Sequence, residues 1–154
     1  MGLFDKLKGA MNAVTGGAAK VTIQYQPPGG FPGDTVQVRI TATSTGGEVK
    51  SGGVFVDLRS VEKVHVPAHS HANVQVDVHL DHETFKQSFQ VAPPFVLGAG
   101  QTSLFEGAVQ IPPTAQPTYQ GRHAQHAWEI RGRVEAFGND PDSGYQPFMV
   151  GKRN

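Results

Sequence analysis

The chain has 154 residues, the size of one globular domain with one core. Lys plus Arg and Asp plus Glu are 13 each, so the formal charge is zero, which excludes a nucleic-acid binder relying on overall positive charge. The absence of Cys excludes disulfide frameworks, zinc fingers, thiol nucleophiles and iron–sulfur clusters together, and 19 Gly with 11 Pro spread between apolar runs mark turns rather than disorder.

Residues 3–14 show the only helical period. Leu3, Phe4, Leu7, Ala10, Met11 and Val14 share one face, Asp5, Lys6, Lys8 and Asn12 the other, and Gly16-Gly17 ends the run. A helix this short needs a surface to lie on. Its own body is the default; a second copy, a partner's groove or a membrane are the alternatives, with Lys6 and Lys8 able to face anionic headgroups. The charges at Asp5, Lys6 and Lys8 argue against a secretory signal, and Lys6 stands where a myristoylation motif wants Ser or Thr. No apolar run approaches the ~20 residues that span a bilayer. The expected location is cytoplasmic.

From Lys20 the period becomes two. Val21, Ile23 and Tyr25 alternate with Thr22 and Gln24, and after the turn-rich 27–34 segment Val36, Val38, Ile40 and Ala42 alternate with polar residues. Gly46-Gly47 reads as a hairpin turn. Val54, Val56 and Leu58 face opposite to Phe55, Asp57 and Arg59. Val74, Val76, Val78 and Leu80 form a further alternating run, followed by Phe85, Gln87, Phe89 and Val91, then by Phe105, Val109 and Ile111. Trp128, Ile130, Val134 and Ala136 oppose Glu129, Arg131, Arg133 and Glu135, and 147–152 can close a sheet. About eight or nine strands, each with one apolar face, predict an all-β, two-sheet antiparallel sandwich of immunoglobulin-like type. The expected division is a helix and Gly hinge over 1–16 and a single sandwich over 18–154.

Two blocks resemble the arrestin-like superfamily, and within it the bacterial sporulation-control proteins. The first runs from Met1-Gly2-Leu3-Phe4-Asp5-Lys6-Leu7 through Gly17-Ala18-Ala19-Lys20-Val21 to Phe31-Pro32-Gly33-Asp34-Thr35-Val36, Gly46-Gly47 and 54–58. The second holds Leu97-Gly98-Ala99-Gly100-Gln101, the strand 105–111, Pro112-Pro113, Pro117-Thr118-Tyr119-Gln120-Gly121 and the strand 128–136. The resemblance implies an arrestin-like sandwich acting as an adaptor or regulatory scaffold. Family members usually carry two sandwiches in tandem, whereas 154 residues have length for one. The phosphate-sensing tail of visual arrestins has no counterpart, so receptor desensitisation does not carry over.

Chemistry-bearing residues are few. His69-x-His71 lies beside a strand start, with His65 four residues earlier and His79, Asp81 and His82 one strand-length on. Imidazole and carboxylate suit zinc, copper or nickel, which makes His65, His69 and His71 candidate metal ligands. His123-x-x-His126 is a second weak candidate, and exposed edge or loop histidines would look the same. There is no nucleophile elbow, Walker loop or dinucleotide fingerprint. Asp77 with Asp81 and Glu129 with Glu135 read as solvated strand faces, and Asp140-Pro141-Asp142-Ser143-Gly144 as a backbone turn. Arg131 and Arg133 share a face with Glu129 and Glu135. They read as a cross-strand salt-bridge row or, with Arg122, as a contact for an anion or acidic peptide. Phe55 reads as an outward aromatic that sits under the helix or anchors a partner.

The expected protein is therefore no enzyme and holds no cofactor. It is a protein-binding adaptor or scaffold that docks partners through sheet edges, loops and the helical stripe, without nucleic acid. Leu3, Phe4, Leu7, Met11, Phe55, Arg131 and Arg133 are its candidate partner contacts. A metal- or carbohydrate-binding sandwich using the histidines, or a self-assembling homo-oligomer, are the alternatives.

Overall fold

The computed structural model describes residues 18–153 apart from 71, 72 and 74. The expected helix over 1–16, with its stripe of Leu3, Phe4, Leu7 and Met11, lies outside the described residues.

Among the described residues every regular element is a strand: β1 (Ala19–Gln26), β2 (Gly29–Gly30), β3 (Thr35–Ser44), β4 (Val49–Val66), β5 (Val78–Ala92), β6 (Phe95–Leu97), β7 (Thr102–Gln110), β8 (Tyr119–Gln120), β9 (Ala124–Ala136) and β10 (Gln146–Val150). They form two sheets. One has the order β1-β3-β7; the other has the order β2-β10-β9-β4-β5, with β6 also on β4 and β8 on β9. All pairings are antiparallel except the short parallel pair of β2 with β10.

The two-residue period places the core between the sheets, since alternate side chains must leave water together. Val21, Ile23, Tyr25, Val36, Val38, Ile40, Ala42 and Val109 line one inner face; Val54, Val56, Leu58, Trp128, Ile130, Val134, Phe148 and Val150 line the other. Trp128 is 2 % exposed and donates its indole N–H to the Gln116 carbonyl at 2.7 Å. Phe31-Pro32-Gly33-Asp34 is the tight turn its sequence implies. The Asp34 amide donates to the Phe31 carbonyl at 3.0 Å, and Gly33 takes φ of 89°, where a side chain would be strained. The Pro117-to-Gly121 segment straps β9 to β10: the Thr118 amide donates to Val150 O and the Val150 amide to Thr118 Oγ1.

Two expectations need correction. Gly46-Gly47 does not turn a hairpin: it carries the chain from β3 in one sheet to β4 in the other, and Ser44 Oγ donates to Gly47 O at 2.7 Å. Alternation is the same on both sides of such a link, so it cannot tell a hairpin from a crossing. Of the run expected from Val74, which itself lies outside the described residues, Val76 and Leu80 face water, 68 % and 63 % exposed, and strand β5 begins at Val78. The cause is position along the hairpin. Ser60 pairs with Phe85 but Val61 with Glu83, leaving Thr84 as an extra residue, a bulge, on β5. The bulge puts Leu80, the partner of Val64, on the same sheet face as Phe85, but Phe85, Phe89 and Val91 pack on the core while Leu80 extends past it into water.

Candidate functional site

The outer face of the larger sheet is polar and ordered in rows. Register sets Ser88, Asp57 and Arg131 abreast across β5, β4 and β9, with Phe55 beside Arg133 and Arg59 beside Glu129 in the flanking rows. Asp57 is the hub, and its side chain is 1 % exposed. Its Oδ1 accepts from Ser88 Oγ at 2.6 Å, while its Oδ2 accepts from Arg131 Nε at 2.7 Å and Arg133 Nε at 3.1 Å. Burial alone would push this carboxyl up; the bonds from Arg133, Ser88 and Arg131 outweigh it and hold the pKa below the usual carboxylate range.

The loop after β9 completes the network. Arg133 Nη1 donates to Asp140 Oδ2 at 3.0 Å, and Arg131 Nη1 stands 3.6 Å from Asp142 Oδ2. Ser143 Oγ accepts the Gly132 amide at 3.0 Å, so the 140–144 segment is a bracket on β9 rather than only a turn. The Arg59 guanidinium lies 3.7 Å from the Tyr145 ring centroid and that of Arg131 4.6 Å, while Arg133 lies 4.8 Å from the Phe55 ring. Arg59 Nε also donates to Glu129 Oε2 at 2.7 Å.

Next to this bracket is an open cleft of about 420 Å³ lined by Arg131, Arg133, Asp140 and Asp142 among others. Two guanidiniums there face three carboxylates, Asp57, Asp140 and Asp142. The balance is not electropositive, which favours the salt-bridge row over an anion site. Arg122 lines a different cleft at the other end of β9. Phe55 is half-buried against Arg133. The sequence carries no signal for the role of Asp57, which alternates like any outward residue. Its burial comes from the neighbours on β5, β9 and the 140–144 loop.

The second cleft, about 670 Å³, lies at the far end of the β4–β5 hairpin and is lined by His65, His79, Asp81, His123 and Ser70 among others. His65 and His79 are direct cross-strand partners, and their rings stack at 4.0 Å between centroids, 13° from parallel. The ligand atoms of His65, His79 and Asp77 all lie within 4.8 Å of one another. Of the expected histidines among the described residues, His65 and His69, the structure brings His65 to this cluster. His69 sits in the connecting loop with φ of 62° and is not among the grouped residues, and His71 lies outside the described residues. His126 is held by Thr84 Oγ1 and the Pro117 carbonyl, each at 3.0 Å.

The fold and these surfaces define an all-β two-sheet sandwich with a buried polar hub on one outer face. No protein-family model matches the sequence, and no curated protein matches it. A solved structure does: the crystal structure of Spo0M, sporulation control protein, from Bacillus subtilis. The match has 17 % identity and a TM-score of 0.62 over 89 % of this chain and 51 % of that one. This chain thus corresponds to about half of that protein, and the fold is the sandwich that the sequence resemblance implied.

Proposed function

We propose that the chain is a non-enzymatic, protein-binding module of adaptor or regulatory type. The observation that supports the reading is the likeness to a sporulation control protein over 89 % of the chain. The surfaces fit such a role. Among the described residues β5 and β7 end their sheets, and their edges can accept an extended segment of a partner. The arginines of the outer face are spent on internal carboxylates, which leaves the edges, the loops and the 1–16 stripe as the docking surfaces of this proposal. A cytoplasmic site of action and protein partners, with self-association as one form of them, belong to the same reading.

The test is crosslinking and affinity capture with the full chain, Leu7→Asp, and Leu104→Pro in the β7 edge. Leu104 is exposed, and the fold of each variant is checked by its melting temperature. The expected result is one reproducible partner, or a defined oligomer, lost in at least one folded variant. No partner and no oligomer above a size-matched control would overturn the proposal, as would a partner retained in full by both variants.

A further inference from the structure

We propose that His65, His79 and Asp77 form a binding site for a divalent transition-metal ion of the zinc type. The strand register brings the first two together: Cα pairing sets His65 of β4 directly opposite His79 of β5, and the rings stack at 4.0 Å. Two imidazoles on facing strands converge without any local sequence motif, since 14 positions along the chain become one cross-strand step. Asp77 enters from just before β5. The Ala68 amide donates to its Oδ1 at 2.7 Å across the hairpin loop, which orients the carboxylate and leaves its other oxygen outside that bond. The hairpin end is anchored from its other side, where the His65 amide donates to the His123 carbonyl at 2.8 Å.

The donors lie within 4.8 Å of one another. Neighbouring ligands of a tetrahedral zinc ion, with bonds of ~2.0–2.1 Å, stand about 3.3 Å apart. Small side-chain rotations close that difference, and all three residues are exposed and free of the core packing that would resist them. Two borderline nitrogen donors and one carboxylate oxygen select zinc, copper or nickel over magnesium or calcium, which prefer oxygen donors throughout. Three protein ligands on an open cleft leave a fourth position for water or for a donor from outside the chain. The site is independent of the arginine face and of the adaptor reading.

The probe is Zn²⁺ alone, titrated calorimetrically into untagged full-length protein, with Mg²⁺ as comparison. Variants are His79→Gln, Asp77→Asn, His69→Gln and His82→Gln. The expected result is one Zn²⁺ per chain, no response to Mg²⁺, at least a ten-fold loss of affinity in His79→Gln and a smaller loss in Asp77→Asn, with His69→Gln and His82→Gln unchanged. Melting curves without metal should coincide for all five proteins, because every substituted side chain is exposed. Absence of Zn²⁺ binding at millimolar concentration would overturn the proposal. So would wild-type affinity in His79→Gln, or a loss in His69→Gln equal to or greater than that in His79→Gln.

Discussion

A Cβ on Gly132 would stand 2.9 Å from Ile40 Cγ1 and 3.5 Å from Ile23 Cβ, closer than packed carbons tolerate at the first contact. The glycine occupies an inward position of β9 beside Val56 and faces Ile40 and Ile23 of the opposite sheet at close range. Gly132→Val should therefore destabilise the fold by ~1–3 kcal/mol through overpacking, read as a lower urea midpoint. Trp128 shows the opposite failure. Its ring packs against Phe85 at 5.5 Å between centroids, and its N–H has one fixed acceptor. Trp128→Ala leaves a void and an unpaired Gln116 carbonyl, and should cost ~3–5 kcal/mol. A loss below ~1 kcal/mol in either variant would show that the inner face yields more than its geometry implies.

Among the elements, the β4–β5 hairpin is two structures in one. From Val54 to Ser60 it borders the core through Val54, Val56 and Leu58, with Phe85 and Phe89 of β5 packed against it. Toward the hairpin end, past Val61, both faces meet water: Leu80, His65 and His79 are exposed and Val64 is half-buried. Backbone bonds there have little apolar cover. Amides of 78–83 should exchange with solvent faster than those of 54–60 by an order of magnitude or more, measured by hydrogen exchange. Equal protection along the whole hairpin would contradict this. The exposed edge of β5 carries Asp81, Glu83 and Lys86, charges that discourage uncontrolled pairing with other strands.

For the whole molecule, acid stability turns on Asp57. Its pKa is depressed in the fold, so its contribution is fully present above the unfolded carboxyl value of ~3.9 and is lost as pH falls through the folded value. Urea midpoints measured from pH 6 downward should therefore decline on the acid side of about pH 4. Asp57→Asn should be less stable at neutral pH by ~3 kcal/mol, since two arginines lose their shared charge, and its midpoint should vary less with acid. An unchanged acid limb in that variant would place the acid sensitivity in other carboxylates.

The facing of most strands was legible in the sequence alone, because the two-residue period is local. Val21 to Tyr25, Val36 to Ala42, Val54 to Leu58 and Trp128 to Val134 could be assigned to a core from their own order. The Pro32-Gly33 turn was equally legible, since φ preferences belong to single residues. Sheet membership and register are relations between strands distant in the chain, and only the tertiary structure decided them. That is why Gly46-Gly47 proved a crossing, why Leu80 ended in water past the end of the core, and why Asp57 became a buried hub. The same physics sets His65 beside His79 instead of beside its nearer neighbour His69: strand pairing closes distances that spacing along the chain does not record.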